Sequence, residues 1–423
     1  MTRYFWVLIH RYAGLYMAFF LTVAGLTGSV LAFFHELDNW LNPELHLVEM
    51  QDRPMLDDFA LREKALSLGP HADINIIGFN RKPDQLYEAR LIARTDLTTG
   101  KPYELGHNSI RLNPYTGKLI EFGKDEGLWP IIRRNILSFI YSLHYSLALG
   151  EVGVWLFGIA ALIWTMDCFL AFYLTFPVRR GVSKVGAKVD FPQQDRGFWS
   201  RWAIAWKIKF PASAFRVNFD LHRAGGLWTW LILFVFAWSS VGFNLRQQVY
   251  QPVMNTLFDL PDFNQFPIAN LPDPRPVPDI DWHSAHDIGR RLMAEQSQKL
   301  HFQILNEEAL AYQPEKGLFA YSVKSDRDIN EQNGSTVVWF DGTSCTYAGV
   351  ILPSGQNTGF TISMWLFALH MARVWGIPFK IFVCLMGLVV AMLSITGVYI
   401  WLKKRRAYRF SQERRRRLDE SKA

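Results

Sequence analysis

Four long apolar runs dominate the pattern of hydrophobic and polar positions, at 12–34, 153–177, 224–245 and 378–402. Each is about 20 residues or more, the length an α-helix needs at ~1.5 Å per residue to cross a hydrocarbon core of about 30 Å. The stretches between them have ordinary soluble composition. The pattern predicts a membrane helix over 1–35, a soluble domain over 36–134, and a second membrane helix with a polar-side extension over 135–177. A basic loop over 178–221 and a third helix over 222–246 follow. The chain closes with a second soluble domain over 247–360, a fourth helix with its own extension over 361–402, and a basic tail over 403–423. The expected class is therefore an α-helical membrane protein, a four-helix transmembrane bundle carrying two α+β domains.

Inside the soluble regions the period changes. Alternation in "IRLNPYTGKLIEFG" (110–123) predicts strand, turn and strand, and "TVVWFDGTSCTYAGV" (336–350) predicts the same. Helices are expected over 57–68 and 281–296, and the Pro-rich 266–282 reads as an extended connector. "FWSRWAIAWKIKF" (198–210) mixes aromatic and basic residues, as a helix lying on a membrane surface does. A docking surface for an electron donor is the alternative there.

The halves repeat. "HRYAGLY" (10–16) returns as "HRAGGLW" (222–228), and "LHYSLALG" (143–150) returns as "LHMARVWG" (369–376). The intervals agree tolerably, 134 residues from His10 to His144 and 148 from His222 to His370. An internal duplication follows, each half reading helix, soluble domain, helix.

Charge orients this plan. Lys and Arg exceed Asp and Glu by 7, and the excess is dense in 178–223 and in the tail. The positive-inside rule then puts the loop and both termini in the cytoplasm, and the α+β domains outside. Basic residues so placed are topology anchors, and nucleic acid is not expected as a partner. The first apolar run is too long for a cleaved leader and has a counterpart deep in the chain, so it is expected to be retained. Three cysteines suggest no disulfide framework, no covalent haem attachment and no iron–sulfur site. Nucleotide-binding glycine motifs are absent, so any flavin would be on another protein. Asp167 is the one obvious carboxylate inside a membrane run, and no helix break is evident, which makes a transporter the least fitting class.

Histidine carries the candidate chemistry. His10 and His222 start the two inward-side repeats, while His35, His144 and His370 lie toward the other face. Neutral imidazole is an ordinary axial ligand for haem iron. Two bis-histidine b-type haems would use His10 with His222 and His144 with His370. Arg11, Arg223 and Arg373 are placed to pair with haem propionates. On a straight helix His35 would stand about 37 Å from His10 at ~1.5 Å per residue; it either replaces an outer ligand or shapes a substrate site. The same repetition would also arise from duplicated packing, because Gly14, Gly225 and Gly226 suit close helix contact. His283 and His286 read as solvated surface.

These strings resemble a known family. "HRYAGL…GLTGSVLAFFHELDNWLNPEL", "RLNPYTGKL", "LHYSLALGEVGVWLFGIAALIW", "FDLHRAGGLW" and "LHMARVWG…MLSITGVYIWLKKRR" are similar to the PepSY-associated transmembrane proteins of bacteria, also called iron-regulated membrane proteins. The resemblance covers nearly the whole chain. It implies an inner-membrane ferric-siderophore reductase of the ferrioxamine-reductase type, with haem in a four-helix bundle and two periplasmic PepSY domains. It places His10, His144, His222 and His370 on the family's helix-start histidines and keeps His35 in play. Electrons would come from quinol or a cytosolic donor, and a ferric siderophore would receive them. Two other classes stay open, a non-enzymatic PepSY-bearing binding or regulatory protein, and a haem protein serving a periplasmic protein partner.

Overall fold

The computed structural model describes residues 2–96, 98–124, 127–178, 197–260 and 268–420. Most of the basic loop before Gly197 and the first residues of the Pro-rich connector lie outside the described residues. In chain order α1 (Arg3–Leu31) is followed by α2 (Phe34–Leu41), α3 (Pro43–His46) and α4 (Asp58–Leu68). Six short strands come next: β1 (Ala72–Asp73), β2 (Ile76–Gly78), β3 (Tyr87–Arg90), β4 (Ile92–Ala93), β5 (Ser109–Leu112) and β6 (Leu119–Gly123). Helices α5 (Ile136–Ser146), α6 (Gly150–Leu174), α7 (Phe198–Trp202), α8 (Ala214–Trp228), α9 (Trp230–Asn244), α10 (Gln251–Leu257) and α11 (Trp282–Leu300) fill the middle. The chain ends with β7 (Ile304–Gln313), β8 (Leu318–Ser325), β9 (Thr336–Asp341), β10 (Tyr347–Ile351), α12 (Thr358–His370) and α13 (Gly376–Glu420). These elements form two compact units, one of residues 1–32, 140–250 and 378–423, the other of 33–139 and 251–377.

The first unit is helical. Among the described residues α1, α6 and α13 are long and apolar enough to cross a membrane, and α8 with α9 makes a fourth if the bent pair is one span. α6 packs against both α1 and α9. α1 and α13 touch where Gly25 meets Gly387, each leaving no room for a Cβ, and Ser29 Oγ donates to the Cys384 carbonyl at 2.8 Å. Small residues let two backbones approach this closely.

Several expectations about continuous helices are corrected. The third span is broken, α8 and α9 meeting at 71°. Thr229 sits at the break and returns its hydroxyl to the Gly225 carbonyl at 2.8 Å. Such back-bonding beside a Gly-Gly pair is a physical cause of bending. α1 ends at Leu31, so His35 stands on the separate α2 and the straight-helix distance from His10 does not apply. His144 lies in the last turn of the short α5 and His370 ends the short α12, and the chain turns through left-handed Leu147 and Ala148, or Ala372 and Trp375, before the long helix begins. α13 runs on without interruption through the basic tail.

The second unit holds the strands. A five-stranded antiparallel sheet has the order β10-β9-β8-β7-β2, and a three-stranded sheet the order β3-β5-β6. The hairpins expected over 110–123 and 336–350 are β5–β6 and β9–β10, and the expected helices are α4 and α11. Two cores result. Leu292 and Met293 of α11 pack on Leu310, Phe319, Tyr321, Val338 and Phe340 of the larger sheet. Leu61 and Ala65 of α4 cover Tyr87, Ile110 and Leu112. The two soluble stretches of sequence share a sheet, since Ile76, Ile77 and Gly78 of β2 pair with Ala311, Leu310 and Ala309 of β7. The expectation of solvated surface is corrected for His286, which is buried with its ring stacked on Phe79 at 4.5 Å, whereas His283 is exposed and stacks on Phe59 at 4.0 Å.

Candidate functional site

Three histidines of the helical unit are gripped in one manner. His10 Nδ1 lies 2.9 and 3.0 Å from the two Asp167 carboxylate oxygens. A carboxylate can only accept, so Nδ1 carries the hydrogen. His222 Nδ1 lies 3.0 Å from Thr396 Oγ1, and that hydroxyl gives its single hydrogen to the Leu393 carbonyl at 3.0 Å. His144 Nδ1 lies 3.0 Å from Thr27 Oγ1, whose hydrogen goes to the Val23 carbonyl at 2.6 Å. With its one hydrogen spent, each threonine oxygen can only accept from the ring. All three imidazoles therefore keep their proton on Nδ1, which makes Nε2 the ring nitrogen with the lone pair. This is how metal-binding histidines are prepared, the outer partner fixing tautomer and ring orientation.

Two of the rings converge. The His10 and His222 centroids are 6.3 Å apart, with planes inclined at 54°. A metal–imidazole bond of about 2.0 Å on each side would set two opposed rings about 6 Å apart. The third ring, His144 of α5, meets α1 at another level, because its partner Thr27 is 17 residues past His10 along α1, about 26 Å at ~1.5 Å per residue. Glycine makes room beside each threonine-held ring. A Cβ on Gly28 would meet His144 Cε1 at 2.9 Å, and one on Gly397 would meet His222 Cε1 at 3.2 Å.

A profile describing a PepSY-associated TM region matches residues 7–404. The chain belongs to the PepSY-associated transmembrane family. No curated protein matches it.

The remaining candidates of this PepSY-associated chain are placed as follows. Arg11 follows His10 on α1. Arg223 has its own work: its guanidinium donates to Asp220 Oδ1 at 2.8 Å and to the carbonyls of Ala205, Ile204 and Lys207 at 3.1, 3.0 and 3.3 Å. Asp220 is fully buried and also takes Arg216 Nε at 2.8 Å. This anchoring of α8 to the 203–207 turn accounts for Arg223 without a propionate. His370, Arg373 and His35 belong to the other unit. His370 closes α12, and the Arg373 backbone bonds Ala368 and Glu331. The His35 ring stands edge-on to Phe34 at 5.6 Å. Among the described residues no group of three or more His, Cys, Asp or Glu side chains could hold a metal ion.

Five residues of the site escaped the sequence reading. Asp167 is visible in the sequence as a lone membrane carboxylate, but nothing there couples it to His10. Thr27-Gly28 and Thr396-Gly397 are the same dipeptide, in "LTG" and "ITG", late in the first apolar run and late in the last. That recurrence is the signal by which they were open to discovery.

Proposed function

We propose that this chain is a haem-carrying reductase of the bacterial inner membrane that passes electrons outward to ferric iron held by a siderophore. The observation that carries the reading is the His10–His222 pair at 6.3 Å, with both Nδ1 atoms turned into fixed acceptors. Those two residues would hold one haem, and His144 a second. On sequence grounds the opposite ligand of the second is sought among His370 and His35, and propionate partners among Arg11 and Arg373. When bound, haem supplies one-electron chemistry at a potential the protein sets. What the chain's own residues do is orient the ligands: Asp167, Thr27 and Thr396 fix the rings, and Gly28 and Gly397 clear the space beside two of them.

Arg3 and Arg11 at the start of α1 and Lys403 to Arg406 on α13 support cytoplasmic termini under the positive-inside rule. The His10 level then faces the cytoplasm, where quinol or a cytosolic protein would donate, and the His144 level faces the periplasm. Hard oxygen ligands hold ferric iron far better than ferrous iron, so reduction alone loosens the chelate and no acid–base group need act on it.

The test is a reduced-minus-oxidised absorption spectrum of the detergent-purified chain with haem quantified per polypeptide. Two low-spin b-type haems are expected, His10→Ala and His222→Ala removing the same one and His144→Ala the other. Protein reduced with dithionite should be reoxidised by a ferric siderophore, with ferrous iron caught by a chelating dye. A chain free of haem after expression with ample haem supply overturns the reading.

A further inference from the structure

The three Nδ1 acceptors are not alike. His222 and His144 give their hydrogen to neutral threonine hydroxyls, whereas His10 gives its hydrogen to a carboxylate. We infer that Asp167 is a positioning residue that sets the His10–His222 end at a lower reduction potential than the His144 end, so that electrons run from the first to the second. The inference rests on the haem reading above and adds a direction to it.

Three observations carry it. A hydrogen bond to an ionised acceptor is roughly twice as strong as one between neutral groups, and it raises the basicity of the ligand that donates it. A more basic imidazole with a negative charge behind it favours the more positive oxidation state of the iron it binds. Second, the Asp167 side chain is 9% exposed within an otherwise apolar stretch of α6. A carboxylate there is costly and is retained for function more often than for packing. Third, the duplication makes the acid a departure from the repeat. Thr396 lies 26 residues after His370, and the same step from His144 reaches Leu170, one helical turn from Asp167. Where the second half supplies a hydroxyl to its first-helix histidine, the first half supplies a carboxylate from the same region of its own second helix.

With haem held at both ends, the step would be the transfer of a single electron from the His10 end to the His144 end. No bond forms or breaks and no proton moves. A chemical reductant is sufficient to load the system for measurement.

The experiment is a spectroelectrochemical titration of the full-length protein in nanodiscs, wild type beside Asp167→Asn and His10→Ala. In wild type two midpoint potentials are expected, and His10→Ala should delete the lower one. Asp167→Asn keeps an oxygen for Nδ1–H but removes the charge. It should shift the reduction equilibrium of that same component at least tenfold toward the reduced form, about 59 mV for one electron, and leave the other component alone. Unchanged potentials at full haem content in Asp167→Asn would make the pair a packing contact and overturn the inference. So would deletion of the higher component by His10→Ala, a result that does not depend on how Asp167→Asn folds. A wild-type chain that binds no haem overturns the reading beneath it instead, and is told apart by the absence of any spectrum to titrate.

Discussion

Replacing Thr396 by Val removes an acceptor while keeping the side-chain shape. Thr396 is 8% exposed, and its oxygen is the partner of the His222 ring hydrogen at 3.0 Å. Without that oxygen the buried ring N–H is left with the Leu393 carbonyl alone, a loss of up to about 1–3 kcal/mol. Loss of a partner behind a metal ligand typically weakens metal retention about 10- to 100-fold, about 1.4–2.8 kcal/mol, and the two estimates agree. The bond from Thr396 to the Leu393 carbonyl disappears too, so a control must share that feature. Thr22 returns its hydroxyl to the Ala18 carbonyl at 2.6 Å, the same back-bond on α1. The assay is the rate at which haem leaves the purified protein for excess apomyoglobin. Thr396→Val should release one of two haems about 10- to 100-fold faster than wild type, and Thr22→Val should not. Equal release from the two variants would refute the argument that the threonine oxygen prepares His222 as a ligand.

Gly28→Val pushes a side chain into the space beside His144, whose Cε1 a Cβ already meets at 2.9 Å; the second haem should be lost from the spectrum and the first kept. Phe340→Ala empties a fully buried position between Phe319 and the other core residues of the larger sheet. It should cost about 3–5 kcal/mol in denaturant unfolding followed by tryptophan fluorescence. Glu307 is drawn below the usual carboxylate range: burial pushes it up, and the hydrogen bonds from Arg290 and Tyr321 outweigh that. Its contribution is complete above the ordinary carboxylate range and is lost as pH falls through the lowered folded value. Glu307→Gln should therefore flatten the acid limb of the thermal stability profile and leave the loss on the alkaline side unchanged.

What the sequence disclosed depended on the range of the interaction. The long apolar runs, the two hairpins and α4 and α11 follow from local period, and the structure has them where the period puts them. Breaks were harder. Leu147 and Ala148, or Ala372 and Trp375, adopt left-handed backbone without the glycine or asparagine that usually announces it. The bend at Thr229 needs a Gly-Gly pair and a back-bonding hydroxyl read together. Pairings between distant segments were hidden altogether. Nothing local says that Ile77 of β2 will join Leu310 of β7, or that Asp167 will find His10 157 residues away. His10 and His222 could be nominated because a repeated helix start marks both, whereas their outer partners lie on other helices.

The Thr-Gly pairs show how one device serves two levels. In the first half the pair is on the first long helix and grips His144 of α5; in the second half it is on the last helix and grips His222 of α8. α1 and α13 are in contact at Gly25 and Gly387, where Ser29 of α1 meets Cys384 of α13, so the two helices run antiparallel. Thr27-Gly28 lies within that contact, whereas Thr396-Gly397 lies beyond it toward the C-terminus of α13, so the two pairs stand at different levels of the α1–α13 pair. His10 is the exception, since its acceptor is the carboxylate of Asp167 rather than a threonine hydroxyl.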